Sequence, residues 1–157
     1  MPSLREAVDD FLAQKRIAVA GVSRSPSEAA NLIYKTLRQR DYEVFAVNPN
    51  AGEVEGDRCY PDLKSIPGGV GAVVIATAPA VAESVARECA EQGVSRVWMH
   101  RSFGQGSVSA EAGEVCRAAG ITGIAGGCPM MFLPGADLGH RCMRWVLGLT
   151  GRLPKEV

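Results

Sequence analysis

Residues 16–25 read RIAVAGVSRS, a short strand, apolar after its first residue, that runs into a glycine and then a polar turn. A helical stretch follows over 28–40, and a second strand over 42–47 (YEVFAV). Strand, glycine turn, helix and strand in this order open a dinucleotide-binding unit. The alternation continues along the chain. Residues 71–76 (GAVVIA) form its most continuous apolar run, as expected of a central strand covered on both faces. A helix over about 80–92 stops at Gly93, a strand fills 94–99, a helix over about 108–119 stops at Gly120, and 121–125 is a last strand. The pattern predicts an α/β fold: a doubly wound parallel sheet of about five to six strands with right-handed crossovers.

Nothing divides the chain, so residues 1–157 are expected to form a single domain. Leu4, Val8, Phe11 and Leu12 share one helical face and predict a lead-in helix over 3–13. A terminal helix is expected over about 137–149, with Leu138, Trp145, Val146 and Leu149 packing back on the domain. Pro26, Ser27 and Glu28 start the helix after the glycine turn, which should turn Leu32, Ile33 and Leu37 inward. Gly52, Gly56 and Pro61 punctuate a loop with room for a short strand at 58–60, and Asp62 or Ser65 caps a helical turn before Pro67.

The expected topology puts the first strand in the middle, the 42–47 strand on one side and the 71–76 strand on the other. Ligands of such sheets lie outside the carboxyl ends of the strands, where strand order reverses. Three segments meet there: Gly21 to Ser25, Val47 to Asn50 and Thr77 to Val81. At the first, Gly21 permits a tight turn and Val22 continues it. Ser23 and Arg24 offer a hydroxyl and a guanidinium to phosphate oxygens, beside the positive end of the next helix. The match to GxGxxG is poor, because Ser23 and Pro26 occupy the other two glycine positions. At the second, Val47-Asn48-Pro49 stands where NAD-binding units usually place the acid that reads the ribose. Asn48 is neutral and Pro49 offers a rigid wall for a flat base. At the third, Thr77-Ala78-Pro79 is small and apolar, a thin edge for a ligand or a plain strand-to-helix loop capped by Thr77.

Composition narrows the partners. Lys plus Arg and Asp plus Glu both number 17, which leaves no electrostatic footprint for nucleic acid or an anionic membrane. No apolar run approaches the roughly 20 residues that span a bilayer, and no basic-then-apolar segment marks a signal peptide. Five cysteines without regular spacing point to reduced thiols and a cytoplasmic setting, and none forms a metal-ligand pattern with histidine.

The strings GVSRS, DYEVFAVNPN, EVEGDRCYPDLKSIP and AVVIATAP, in this order, resemble the single-domain coenzyme A-binding protein family. That family is related to the CoA-binding domain of the succinyl-CoA synthetase α subunit. The resemblance covers about residues 12–130 and implies a Rossmann-like crevice that holds coenzyme A or an acyl-CoA. It implies Gly21, Val22, Ser23 and Arg24 along the phosphates, Val47, Asn48 and Pro49 beside the adenosine, and Thr77, Ala78 and Pro79 along the other side. The chain departs from the family where Trp-x-Gln is frequent: it reads Trp98-Met99-His100, so His100 takes the place of the glutamine. Cys128-Pro129 keeps the family's Cys-Pro, without the acidic residues often near it.

No catalytic set stands out. A phosphohistidine of the synthetase kind needs a second domain and a glycine-rich setting, which His140 lacks. No GxSxG elbow and no P-loop lysine motif occurs. Cys128 reads as a small half-buried residue without an adjacent cation to activate it, while Cys59, Cys89, Cys116 and Cys142 read as core or helix-face residues. The leading expectation is a coenzyme A-binding protein without independent catalysis. One alternative is an NADP-dependent oxidoreductase with Arg24 on the 2′-phosphate. Another is a protein-interaction module with a vestigial nucleotide site. The acyl group, a homo-oligomer and a protein partner are left open.

Overall fold

The computed structural model of the chain describes residues 2–101 and 106–133, together with 141 and 144. Among these, seven strands alternate with four helices. In chain order they are α1 (Leu4–Leu12), β1 (Arg16–Ala20), α2 (Ala29–Gln39), β2 (Glu43–Val47), β3 (Glu53–Val54), β4 (Asp57–Tyr60), β5 (Ala72–Ile75), α3 (Pro79–Glu91), β6 (Arg96–Met99), α4 (Ala110–Ala118) and β7 (Thr122–Ala125). The strands form one sheet in the order β3-β4-β2-β1-β5-β6-β7. Every neighbouring pair is parallel except β3 and β4. The expected doubly wound α/β fold is therefore present, with β1 central, Ile17 facing Val44 of β2 on one side and Ala72 of β5 on the other.

Strand alternation divides the core. Side chains point to opposite faces at period two. Ile17, Val19 and Val74 join α1 and α2 in one cluster, whereas Ala18, Ala20, Val73 and Ile75 join α3 and α4 in the other. All four residues of β5 are fully buried, as the continuous apolar run requires of a strand covered twice. Trp98 packs edge-on against Phe11 of α1, with ring centroids 5.4 Å apart, and its indole N–H donates to the Gly126 carbonyl at 2.9 Å.

The helix ends follow local chemistry. Ser3 and Glu6 form a reciprocal capping box that starts α1. Helices α3 and α4 stop by the same device. Gly93 and Gly120 both take φ +71°, and the amides of Val94 and Ile121 reach back to the carbonyls of Cys89 and Cys116 at 2.9 and 2.8 Å. Helix α2 ends the same way with Asp41 in the left-handed position (φ 66°), where glycine is the usual occupant.

Two sequence expectations are corrected. Leu32 is 43% exposed rather than inward. The buried apolar stripe of α2 is Ala30, Ile33, Tyr34 and Leu37, an i, i+3, i+4, i+7 face that excludes position 32, with the polar Asn31 buried beside it. The punctuated loop after β2 holds two strands rather than one, because β3 and β4 pair across a two-residue turn, Glu55-Gly56, with φ of 52° and 78°. Positive φ at both positions matches the right-handed twist of a tight hairpin. Of the expected terminal helix, Leu138, His140, Cys142, Trp145, Val146 and Leu149 lie outside the described residues, while Arg141 and Arg144 are helical. Arg144 places its guanidinium 4.5 Å from the centre of the Phe132 ring.

Candidate functional site

Parallel strands bring their carboxyl ends to one edge of the sheet, and the chain reverses direction across the sheet between β1 and β5. The three expected tips meet at this edge. Gly21 donates its amide to the Val47 carbonyl at 3.0 Å. Its φ is +108°, and a Cβ placed on it would stand 2.2 Å from the Ala76 carbonyl oxygen, next to Thr77. Glycine is thus required twice here, by backbone conformation and by contact with the end of β5.

The first and second tips are tied together by side chains. Asn48 Nδ2 donates to the Val22 carbonyl at 3.0 Å, and Asn48 Oδ1 accepts the Asn50 amide at 2.8 Å. Arg24 donates from Nη2 to the Asn50 carbonyl at 3.1 Å, so its guanidinium bridges the two loops at the surface. Val22 is fully buried, and its carbonyl is the one that accepts from Asn48. Pro49 stands in the exposed turn between Asn48 and Asn50. The neutral Asn48 therefore acts as a brace: its amide satisfies a backbone carbonyl that a carboxylate would oppose.

At the third tip, Ala78 is the extended residue before α3 and Pro79 is the first helical residue. Thr77 does not cap the helix, because its hydroxyl donates to the Ala78 carbonyl at 3.1 Å. No side chain caps either α2 or α3. Both helices start on the strand-tip side, so they present uncapped amides and positive dipole ends there.

Sequence reasoning missed two polar residues that fix these loops. Asn31 is completely buried in the first turn of α2. Its Oδ1 accepts the Ser23 amide at 3.0 Å and its Nδ2 donates to the Ser23 carbonyl at 2.7 Å. The Ser23 hydroxyl oxygen in turn accepts the Ser25 amide at 3.1 Å. Ser107, 2% exposed, donates from Oγ to the Thr77 carbonyl at 2.6 Å, and its amide donates to the His100 carbonyl at 2.7 Å. The signal available in the sequence was a polar residue beside an apolar helical stripe, since buried amides are almost always paired. Nothing comparable marks Ser107, whose partners lie 7 and 30 residues away.

His100 follows β6 directly and donates its amide to the Ile75 carbonyl at 2.9 Å, so it stands beside the third tip. Cys128 is only 2% exposed, in the cluster with Trp98 and Met131, and the half-buried reading is corrected. Gly126 and Gly127, with φ of 114° and 72°, turn the chain just before Cys128. Cys59, Cys89 and Cys116 are buried as expected, and burial pushes all three thiols up from their ordinary value.

A parallel sheet with a glycine turn after its central strand and two helices that start uncapped at the strand tips defines a Rossmann-like α/β fold. Residues 15–134 match the CoA binding domain family, and the chain belongs to it. A Bacillus subtilis protein described as uncharacterised, YneT, is 30% identical over 127 residues, which is 81% of this chain and 91% of that protein. The ADP-forming acetate–CoA ligase II of Archaeoglobus fulgidus is 32% identical over 96 residues, 60% of this chain, and the match spans only 14% of the ligase. Among solved structures, a hypothetical protein from Pyrococcus horikoshii OT3 superposes with a TM-score of 0.73 at 28% identity, covering 80% of this chain and 86% of that one. The likeness to succinyl-CoA synthetase-type domains anticipated from the strand-tip strings is thus found.

Proposed function

We propose that this chain binds coenzyme A or an acyl-CoA in the crevice at the strand tips and carries out no reaction of its own. The observation that carries the reading is the family match over residues 15–134, which contains all three tips and the loops that brace them. Gly21, Val22, Ser23 and Arg24 line the phosphates. The Ser23 backbone is taken up by Asn31, so the groups offered there are the Ser23 hydroxyl, the Arg24 guanidinium and the uncapped start of α2. Val47, Asn48 and Pro49 border the adenosine, with Asn48 holding the loop and Pro49 forming the wall. Thr77, Ala78 and Pro79 flank the opposite side.

The match to the acetate–CoA ligase covers one segment of a much longer protein, so it supports the binding step and not the ligase reaction. The buried cysteines support a reducing, cytoplasmic setting. Among the described residues no helix is long and apolar enough to cross a membrane.

Calorimetric titration of the purified protein with coenzyme A, acetyl-CoA, NADP and NAD tests the proposal, with thermal shift alongside. A ligand that binds the folded state raises the melting temperature by mass action. Saturable binding of coenzyme A in preference to both dinucleotides is expected. Saturable NADP binding without coenzyme A binding would overturn the reading in favour of the oxidoreductase.

A further inference from the structure

We propose that Asn31 and Glu55 are a positioning pair through which the β3–β4 hairpin sets the shape of the ligand loop. The proposal rests on the reading of residues 21–25 as the phosphate side of the crevice. Glu55 stands in the hairpin turn with φ 52°, a left-handed conformation that a glutamate rarely adopts. Its backbone carbonyl accepts from Arg38 Nη1 at 2.9 Å. Its carboxylate Oε1 accepts from Asn31 Nδ2 at 2.9 Å and lies 3.8 Å from Lys35 Nζ. The Glu55 side chain is 13% exposed, so these partners replace most of its water.

The geometry makes the carboxylate a common anchor for two grips on one loop. Asn31 holds Ser23 at both its amide and its carbonyl. Lys35 donates to the Pro26 carbonyl at 3.1 Å. Residues 23 and 26 are thus fixed from behind by two side chains of α2, and both side chains meet at Glu55 Oε1. Asn31 Nδ2 has two protons, one on the Ser23 carbonyl and one on Glu55. Without an acceptor at the second, the buried amide is left underpaired and free to rotate away from Ser23. The strained turn residue is retained because its side chain orients this amide, an instance of backbone strain kept where the surroundings over-determine it.

The pair is tested by amide hydrogen exchange followed by NMR, which needs no ligand. The variants are Glu55→Gly, which relaxes the turn while removing the carboxylate, and Glu55→Gln, which keeps an acceptor for Asn31. In Glu55→Gly the Ser23 amide is expected to exchange on the order of tenfold faster. The β1 amides of Ile17 to Ala20 should keep wild-type protection, and the melting temperature should stay close to wild type. Glu55→Gln should restore most of the Ser23 protection. Unchanged Ser23 exchange in a folded Glu55→Gly protein would overturn the pairing. So would a uniform loss of protection across β1 and Ser23, which would mark Glu55 as merely structural. Coenzyme A titrated into the same three proteins reads the consequence, a weaker affinity in Glu55→Gly with recovery in Glu55→Gln. Failure of the wild type to bind coenzyme A would overturn the proposed ligand, whereas the exchange data would still decide the pair.

Discussion

The side-chain amide of Asn48 donates to the backbone carbonyl of Val22 at 3.0 Å and so ties the loop after β2 to the loop after β1. A nucleotide unit that reads ribose with an acid would carry a carboxylate at this tip. Here the position needs a donor. Asn48→Asp replaces that donor with an acceptor facing another acceptor, and should cost about 1–3 kcal/mol of stability. It also places a negative charge beside the proposed phosphate path, so coenzyme A affinity should fall as well. Thermal melts and calorimetry measure the two effects, and wild-type values for both would refute the brace.

Gly21 cannot accept a side chain. A Cβ there would sit 2.2 Å from the Ala76 carbonyl oxygen at a φ of +108°. Gly21→Ala should push β1 and β5 apart at their carboxyl ends and destabilise the protein by more than about 2 kcal/mol. Urea unfolding provides the number. A loss under 0.5 kcal/mol, on the order of an ordinary surface change, would contradict the contact.

Asp41 ends α2 in the left-handed conformation, with its amide on the Arg38 carbonyl and the Tyr42 amide on the Leu37 carbonyl, both at 3.2 Å. Glycine suits that position better. Asp41→Gly should stabilise the fold by about 0.5–1 kcal/mol and leave ligand binding unchanged, because it lies at the far end of α2 from the proposed site. Denaturant midpoints compare the two proteins.

Tyr34 and Asp57 give the protein a pH signature. The Tyr34 hydroxyl donates to Asp57 Oδ2 at 2.6 Å, and Arg38 Nη1 donates to the same oxygen at 2.7 Å. Burial, with the Asp57 hydrogen bond, raises the tyrosine from its ordinary value of 10.0. The fold therefore favours the neutral phenol, and its contribution is complete below pH 10 and lost as pH rises through the raised value. The hydrogen bonds from Tyr34 and Arg38 lower Asp57 from its ordinary value of 3.8. Its contribution is complete above that value and lost as pH falls through the lowered one. Tyr34→Phe should flatten the alkaline arm of a stability–pH curve above pH 10. An unchanged arm would assign it to other groups.

The order of elements was legible from the sequence because it depends on short-range pattern. The run AVVI had to be a strand covered twice, RIAVAG had to turn at Gly21, and Gly93 and Gly120 had to end helices, since each follows from side-chain periodicity or from the freedom of one glycine. The hairpin turn at Glu55-Gly56 was hidden, because glutamate is not a residue that announces a left-handed turn. Its conformation is maintained by Arg38, Asn31 and Lys35, which stand 17 to 24 residues earlier on α2.

The site divides along the same line. Sequence alone determined which segments reach the strand-tip edge, because parallel topology brings strand ends to one side of the sheet. Only the tertiary structure decided what each polar group does there. Asn48 became a brace, Ser23 a residue with its backbone already bound, Thr77 a residue that caps nothing, and Asn31 and Ser107 the supports beneath the loops. A hydrogen bond is set by the distance and angle between groups far apart in the chain, and residue identity fixes only what each group is able to donate or accept.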